Sequence, residues 1–557
     1  MQERRQGKRA NSPGKPFAAG LRLPQRALVL FGVFAVGLIA AAIVYKPLGT
    51  PAIGYDSAAS VLYFDRIAAH QPLEGWVAST SKPLCTLIDG LAFNLTRDWR
   101  SLAVIATVEY AFMLVAVAAL AWRTSGPVAA GLAAAGLLGS SLLFNDGSLT
   151  YATPWAILFW ALAGLALTGR SPRYGLAGVA LLMGALMRFE TLFIVGLAVA
   201  ALGAWRLAPA EWLGDIPRPP RRAALLLIGL AALPVMLLHD WLLTGNAFFW
   251  LDVSAIVSKA VPAAVESPAR LAQTLGNHFA GNWARLLMLA LAAVGTYDLF
   301  RRRQIAVLLG LAACGPGVIA FLEFLALRNT YVSGRYTIPA DAAVVFAAAV
   351  GAQALVVMAT GAARRIRKSP SRPVDAEETA AAHGRFGPFA AIGWVLAGAV
   401  IAIVIVRPYG PVAKDTRATV YASIALQADA RLAMPTIQKA LDGDRPAWIL
   451  TDVEKPNQGP PPRVWVPSLL VPKAAVDLGL PVWSVGSGSP ITGNPSGLAV
   501  TVNTIVFIDR DQGGDIAQDI APFEVDRALT VGGTTITPLL SLPEQGIWVV
   551  LLSPAAS

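Results

Sequence analysis

Long apolar runs recur along the first 406 residues of the chain, and short polar loops separate them. Most runs approach the roughly 20 residues with which a helix crosses the hydrocarbon of a bilayer. The pattern therefore predicts a polytopic α-helical membrane protein with about eleven transmembrane helices. The predicted spans are residues 27–45, 102–122, 127–144, 154–169, 174–187, 190–205, 223–243, 286–300, 304–325, 338–360 and 388–406. The first run is long for a signal peptide and no small-residue cleavage site follows it, so we expect it to be retained.

Composition supports this class of protein. Of 557 residues, 55% are hydrophobic and 14% charged, against about 25% charged residues in an average soluble protein. The net charge of +11 comes from basic residues in the loops, which is typical of membrane topology rather than nucleic-acid binding. Two cysteines exclude a disulfide framework.

The distribution of basic residues also predicts the orientation. Residues 1–26 are strongly basic and are expected to stay in the cytoplasm. Alternation along the chain then places the basic loops around Arg123, Arg170 and Arg301 inside. The loop 46–101 and the chain beyond residue 406 are expected outside the cytoplasmic membrane.

The tail, residues 407–557, has a different pattern. "AWILTD", "VWSVG", "NTIVFID" and "GIWVVLLS" are short segments rich in Val, Ile and Trp, which predict strands. A periodic segment near 417–442 predicts a helix. We therefore expect three parts: a basic N-terminus (1–26), a transmembrane domain (27–406) and a small extracytoplasmic α/β domain (407–557). The D-x-D pattern at 509–511 is interpreted as a turn at a strand end.

Polar residues collect at four places that are all expected at the outer membrane surface. Ionisable groups near hydrocarbon are costly and often mark a functional site. These residues are Asp56, Asp65, Glu74 and Lys82 in the first loop; Arg188 and Glu190 between two short spans; His239 and Asp240 at the end of a span; and Arg328, Arg335 and Tyr336 before a late span.

The outer face of a membrane lacks ATP and nucleotide sugars, so an activated substrate there has to arrive on a lipid. Glycosyl transfer from a polyprenyl phosphate needs a carboxylate that accepts the acceptor's proton. It also needs cations that stabilise the departing phosphate. An outward-facing acid together with Lys82, Arg188 and Arg335 would supply these groups.

The same segments contain a series of short motifs: "GYDSAASVLYFDRIA" followed by "SKPLCTLIDGLAF", then "RFE", "WLLTGNAFF" and "GRYTIP", with a soluble domain expected after the last span. In their order, these motifs resemble those of the GT-C glycosyltransferases, which include protein O-mannosyltransferases and lipid A aminoarabinose transferases. It implies a GT-C-like transmembrane domain whose first external loop is catalytic. Two positions depart from the family pattern: Ser57 follows Asp56, and Pro-Leu follows Lys82.

By this resemblance Asp56 matches the catalytic acid. Lys82 and the pair Arg335–Tyr336 match residues that approach the lipid phosphate, and Arg188 would assist them. Asp65, Glu190, His239 and Asp240 are candidates for supporting or acceptor-side roles.

Each candidate also has a structural explanation. Asp56 could be a helix N-cap, and Asp65 a solvated residue or an ion-pair partner of Arg66. Lys82 could be a lysine at the membrane surface whose stem lies along apolar groups. Arg188 and Glu190 could pair across a turn, and Arg335 could be an anchor at the membrane edge.

The residues and the resemblance together predict an inverting glycosyltransferase that uses a polyprenyl-phosphate-linked sugar. No cofactor or metal is assigned, although a divalent ion stays open, and the acceptor is unspecified. The alternatives are a transporter or flippase of lipid-linked saccharides, a polysaccharide polymerase or ligase, and a non-catalytic envelope protein. A transporter would be expected to carry charges near the midplane, within inverted repeats.

Overall fold

The fold is described from a computed structural model of the chain. The residues it describes are 23–49, 51–73, 79–80, 82–169, 171–209, 218–253, 267–328, 330, 334–367, 411–442, 464–467, 470–480, 485–486, 503–509, 527–531 and 533–554. Glu74 and the predicted span 388–406 lie outside these residues, as does the predicted strand at 447–452.

Helices make up most of the described chain. In order, they are α1 (Leu23–Tyr45), α2 (Tyr55–Ala68), α3 (Pro83–Thr96), α4 (Arg100–Thr124), α5 (Pro127–Leu138), α6 (Ser141–Ser148), α7 (Thr153–Leu167), α8 (Tyr174–Met187), α9 (Glu190–Leu207), α10 (Arg221–Thr244), α11 (Pro268–Ala280), α12 (Trp283–Arg301), α13 (Ile305–Leu327), α14 (Ile338–Arg367), α15 (Pro411–Asp442) and α16 (Val471–Leu478). The first half of α10, Arg221–Ala231, is a 3-10 helix. A π-helical turn that contains Pro316 interrupts α13 at Ala313–Gly317.

The apolar runs coincide with these helices. Among the described residues, seven helices are long and apolar enough to cross a membrane: α1, α4, α9, α10, α12, α13 and α14. Three shorter apolar helices, α5, α7 and α8, fall on the other runs predicted before residue 360. The protein is therefore a multi-pass helical membrane protein, while the count of eleven spans stays a prediction.

Glycines allow two of the long helices to pack closely. A Cβ atom at Gly295 of α12 would overlap the Ala347 carbonyl oxygen of α14, and one at Gly351 would overlap the Leu291 carbonyl oxygen. Small residues at such crossings let helix backbones approach within a membrane, where packing replaces the hydrophobic effect as the driving force.

The tail contains a mixed sheet of six strands in the described residues. They are β1 (Val464–Trp465), β2 (Val485–Gly486), β3 (Thr504–Asp509), β4 (Leu529–Val531), β5 (Thr534–Leu542) and β6 (Ile547–Pro554), in the order β2-β1-β3-β6-β5-β4. β1 pairs in parallel with β2 and β3, and the remaining pairs are antiparallel. In β3 every residue is buried, which agrees with a strand covered on both faces. A small C-terminal domain with a sheet and helices is thus present, as the pattern predicted.

The C-terminal domain packs directly on α2. Leu62 and Tyr63 of α2 share a buried apolar cluster with Leu426 and Ala430 of α15 and with strands of the sheet. The buried side chain of Gln427 donates a hydrogen bond to the Ile53 carbonyl oxygen at 2.9 Å. α2 is therefore held between the transmembrane helices and the tail domain.

Candidate active site

The start of α2 is fixed by close backbone contact with the segment that joins α6 to α7. The Gly54 N–H donates to the Leu149 carbonyl oxygen at 2.9 Å, and a Cβ atom at Gly54 would overlap the Tyr151 ring. The Ser57 hydroxyl donates to the Thr150 carbonyl oxygen at 2.8 Å. These contacts fix the first turn of α2, in which Asp56 lies.

Gly54 is the N-cap of α2, and Asp56 lies two residues inside the helix. The explanation of Asp56 as an N-cap is therefore wrong. A carboxylate in the first turn still benefits from the positive end of the helix dipole.

Asp56 and Lys82 come together although the loop separates them. The Lys82 Nζ lies 3.3 Å from the Asp56 Oδ2, and the two side chains are 11% and 10% exposed. Lys82 is the N-cap residue of α3, and Pro83 follows it at the first helical position, where proline is well tolerated. The structure thus brings two of the predicted site residues into direct contact.

Among the described residues, the Lys82 ammonium has two further hydrogen-bond acceptors, and both are uncharged. It donates to the Ser79 hydroxyl at 3.4 Å and to the Thr80 carbonyl oxygen at 3.2 Å. The Tyr63 hydroxyl of α2 in turn donates to the Ser79 carbonyl oxygen at 2.7 Å. Tyr63 therefore ties the segment before Lys82 to the helix that carries Asp56.

His239 and Asp240 lie at the end of α10 and join the same region. The His239 Nε2 is 3.2 Å from the Thr86 hydroxyl of α3, and its Nδ1 is 3.4 Å from the Asp240 Oδ1. The Trp250 N–H donates to the Asp240 Oδ2 at 2.9 Å. The pair orients α3 against α10, and the His239 ring packs edge-on against Tyr63 of α2, with the ring centres 6.4 Å apart.

Arg188 lies at the break between α8 and α9. It donates to both oxygens of Glu190, at 2.8 and 3.4 Å. It also contacts Asp146 of α6 at 3.9 Å and donates to the Thr153 hydroxyl. The structure thus pairs Arg188 with Glu190, as the structural explanation predicted, and it adds partners from two other helices.

Tyr336, from the segment before α14, contacts Arg188. The Arg188 guanidinium carbon lies 5.7 Å from the centre of the Tyr336 ring, within the range of a cation–π contact. Arg335 precedes it in the 3-10 turn Gly334–Thr337, but its side chain is outside the described residues. Lys82 is also close enough to Glu190 for electrostatic interaction.

Asp65 does not join the site. Its carboxylate accepts a hydrogen bond from the Asn94 amide of α3 at 2.6 Å. Arg66 donates instead to the Gln71 side chain and to the Leu480 carbonyl oxygen. Asp65 therefore links α2 to α3, in place of the predicted pair with Arg66.

Two carboxylic acids that the sequence interpretation did not single out lie beside these groups. Asp89 of α3 and Glu109 of α4 line a small cavity together with Cys85, Thr150 and Trp155. Burial raises the pKa of Asp89 to about 8, while nearby Lys82 opposes the rise. Glu109 is 3% exposed, and its Oε1 has no hydrogen-bond partner among the described residues. An acid inside an apolar run was the signal that could have identified Glu109.

The described residues contain no group of three His, Cys, Asp or Glu side chains that could hold a metal ion. What the site does contain is a carboxylate, an ammonium and a guanidinium within one partly buried region. These groups are able to accept a proton and to bind an oxyanion.

Comparison with known proteins gives matches at the level of solved structures. No protein-family model matches the chain, and no curated protein sequence matches it.

Among the solved structures that match is ArnT, a lipid A aminoarabinose transferase, from Cupriavidus metallidurans bound to undecaprenyl phosphate. It is 12% identical with a TM-score of 0.47, and the match covers 95% of this chain and 98% of that one. The oligosaccharyltransferase of Archaeoglobus fulgidus in its apo form matches at 12% identity and a TM-score of 0.47, over 88% of this chain and 68% of that one. The same enzyme, AglB, with an inhibitory peptide and dolichol phosphate matches at 12% identity and a TM-score of 0.44, over 82% of this chain and 64% of that one.

These matches include the aminoarabinose transferases that the sequence resemblance named. The similarity is one of overall layout, so the function proposed next is argued from the residues of the site.

Proposed function

We propose that the protein is an inverting glycosyltransferase that moves a sugar from a polyprenyl-phosphate-linked donor to an acceptor on the extracytoplasmic face of the membrane. The observation that carries this proposal is the contact between Asp56 and Lys82 at 3.3 Å. A base and a cation for the leaving group are the two groups that this reaction needs, and here they lie beside apolar helices at which a lipid-linked donor can arrive.

Asp56 would act as the general base. Its carboxylate accepts the proton of an acceptor hydroxyl while the hydroxyl oxygen attacks the anomeric carbon of the sugar. The bond from that carbon to the phosphate oxygen breaks, and its electron pair stays on the phosphate. Attack in line with the leaving group inverts the configuration at the anomeric carbon.

Lys82 would neutralise the departing phosphate. Without a donor, its ammonium contacts the carboxylate that has to accept a proton. A bound phosphate would compete for the ammonium, because the other acceptors of Lys82 are neutral oxygens. When a donor binds, the Lys82 ammonium would therefore move from the Asp56 carboxylate to the phosphate. This single change would free Asp56 to accept a proton and would stabilise the leaving group.

Arg188, Arg335 and Tyr336 would bind near the same phosphate. Arg188 is 7% exposed and has several protein partners, so we assign it to positioning and to long-range charge stabilisation. Tyr336 contacts Arg188 and would link the segment of Arg335 to it. Glu190, His239 and Asp240 would hold the helices that carry these groups.

The proposed orientation follows the distribution of basic residues. The N-terminus would lie in the cytoplasm, and α2, α3 and the C-terminal domain would face the outside of the cytoplasmic membrane. The acceptor would be a lipid, a glycan or a protein that reaches this face.

The test is a glycan analysis of envelope fractions from cells that carry the wild-type protein or Asp56→Asn at equal expression. We expect the sugar modification to fall by about 10²–10⁴-fold, the usual contribution of a general base. The amide of asparagine keeps the shape of the side chain but accepts no proton.

Asp252→Asn is the matched control. Asp252 is an exposed carboxylate on a different external segment, where it accepts a hydrogen bond from Asn246, so modification should stay at the wild-type level. Full modification by folded, inserted Asp56→Asn would contradict the mechanism and favour the transporter alternative.

A further inference from the structure

We infer that a groove between the first external loop and the C-terminal domain binds an oxyanion, a phosphate or a carboxylate, carried by the acceptor. This inference rests on the function proposed above. The groove lies where the turn between α3 and α4 meets α15 and α16, and its volume is about 520 Å³. This volume is within the range of pockets that bind small molecules.

Four basic residues and two acids line the groove: Arg97, Arg100, Arg431, Lys473, Asp98 and Asp477. Their formal charges give a net charge of +2. Three of the four cations are arginines, whose planar guanidinium group matches the geometry of a phosphate or a carboxylate. The charge of the lining therefore favours an anionic ligand over a neutral sugar alone.

The floor of the groove is a fixed polar cluster. Lys473 is 5% exposed, forms an ion pair with Asp477, and places its Nζ 5.2 Å from the centre of the Trp99 ring. The Trp99 indole N–H donates to the Asp477 Oδ1 at 2.8 Å. A cation that is held this way in a buried position is already arranged for a ligand, so binding an oxyanion requires little reorganisation.

The rim is more exposed. Arg97 ends α3 in the left-handed conformation, with φ of 53°, which costs a non-glycine residue roughly 1 kcal/mol. Its guanidinium lies 6.0 Å from the centre of the Phe93 ring. Arg100 lies 3.9 Å from Asp98, and Arg431 of α15 is exposed across the groove. The rim cations thus come from both domains, which gives the C-terminal domain a function in binding.

The groove is connected to the proposed active site by direct packing. Trp99 belongs to the same buried cluster as Ala58 and Val61 of α2, the helix that carries Asp56. Val476 of α16 packs against this cluster. An acceptor anchored by its anionic group in the groove would therefore be bound against the helix that supplies the base.

The test uses inorganic pyrophosphate as the probe and the purified full-length protein in detergent. The protein carries Lys82→Ala, so that the proposed donor site no longer holds the probe strongly, and binding is followed by titration calorimetry. Adding Arg431→Ala should raise the dissociation constant about fivefold, the effect of one ionic contact open to solvent. Adding Arg97→Ala as well should raise it further by a similar factor.

Lys439→Ala is the matched control, because Lys439 is an exposed cation on the same helix, α15, and does not line the groove. It should leave the dissociation constant unchanged. The proposal is overturned if pyrophosphate does not bind saturably, or if Lys439→Ala weakens binding as much as Arg431→Ala.

Repeating the titration in nanodiscs distinguishes a lipid headgroup from a water-soluble ligand. If the natural ligand is a lipid headgroup, phosphatidylglycerol should weaken pyrophosphate binding relative to phosphatidylcholine alone, and Arg431→Ala should abolish this competition. If the ligand is soluble, the two lipid compositions should give the same affinity. Either result supports the oxyanion site.

The titration measures no turnover, so it is independent of the Asp56→Asn experiment. If pyrophosphate binds in the groove but Asp56→Asn is fully active, the oxyanion site stands and the transferase mechanism is rejected. If Asp56→Asn loses the sugar modification but pyrophosphate does not bind in the groove, the transferase mechanism stands and the oxyanion site is rejected.

Discussion

Two buried ionic groups lie next to each other in this protein, and they are built differently. Lys82 and Asp56 form a pair of one cation and one acid at 3.3 Å. Arg188 instead lies between two acids, Glu190 at 2.8 Å and Asp146 at 3.9 Å. All five side chains are at most 12% exposed, so the difference lies in the partners and not in the burial.

The partners determine which cation is able to change its contacts. When Lys82 leaves Asp56 for a phosphate, it exchanges one anion for another. Arg188 contacts two carboxylates at once, so moving it would take a close positive charge away from both of them in a buried region. We infer that Lys82 is the exchangeable cation of the site and Arg188 the fixed one.

The largest expected effect comes from removing the fixed cation. Arg188→Ala leaves Glu190 and Asp146 without this guanidinium, and breaking a buried pair in this way typically costs about 3–5 kcal/mol of stability. We therefore expect a large fall in the thermal unfolding temperature of the purified protein and in the yield of folded protein, measured by size-exclusion chromatography in detergent.

Adding Glu190→Gln to Arg188→Ala is the control for this explanation. It removes the negative charge of one of the two acids that lose this guanidinium, and it should recover part of the lost stability. If Arg188→Ala unfolds at the wild-type temperature, Arg188 is not the fixed cation and the comparison with Lys82 fails.

The second effect concerns the exchangeable cation. Lys82→Ala should lower transfer by about 100-fold, the usual cost of removing one group that stabilises a developing oxyanion. The unfolding temperature should change less than in Arg188→Ala, because Lys82 pairs with one acid and Arg188 with two. Glycan analysis and thermal unfolding of the same preparations give both numbers.

Lys46→Ala serves as the control, since Lys46 is an exposed lysine just after α1 and away from Asp56. Transfer at the wild-type rate by Lys82→Ala would rule out the exchange of partners described above. A loss of stability equal to that of Arg188→Ala would mean that the two cations have the same structural role.

Features that depend on residues close together in the chain were predicted from the sequence, whereas features that depend on contacts between distant residues were missed. Apolar runs are local, and the ten runs predicted before residue 360 all coincide with apolar helices. Asp56 and Lys82 belong to one loop, and Arg188 and Glu190 are two residues apart, so short motifs were enough to select them.

The features that were missed depend on packing between distant segments. Asp146 reaches Arg188 from α6, and no local pattern relates the two positions. The packing of the C-terminal domain on α2 depends on contacts such as that of Gln427 with Ile53. These two residues are hundreds of positions apart in the chain. Asp89 was visible in the quoted motif, but its burial beside Glu109 depends on how α3 packs against α4.

The smallest effect concerns a further carboxyl, that of Asp89, for which burial outweighs the opposing effect of nearby Lys82. Burial raises the pKa of Asp89 to about 8, so the folded protein keeps this proton at neutral pH while the unfolded chain, with an ordinary aspartate, loses it near pH 4. Because the folded state binds more protons over this interval, its stability falls as pH rises towards 8 and becomes level above that value.

Asp89→Asn removes this dependence, since an amide does not titrate. Its unfolding temperature relative to wild type should therefore increase between about pH 5.5 and pH 8.5, with a gain of about 3 °C at the higher value. Thermal unfolding in detergent at several pH values measures this difference. A difference that stays constant across the range would show that Asp89 ionises as an ordinary surface aspartate. In that case the burial of Asp89 would not outweigh the nearby charge of Lys82.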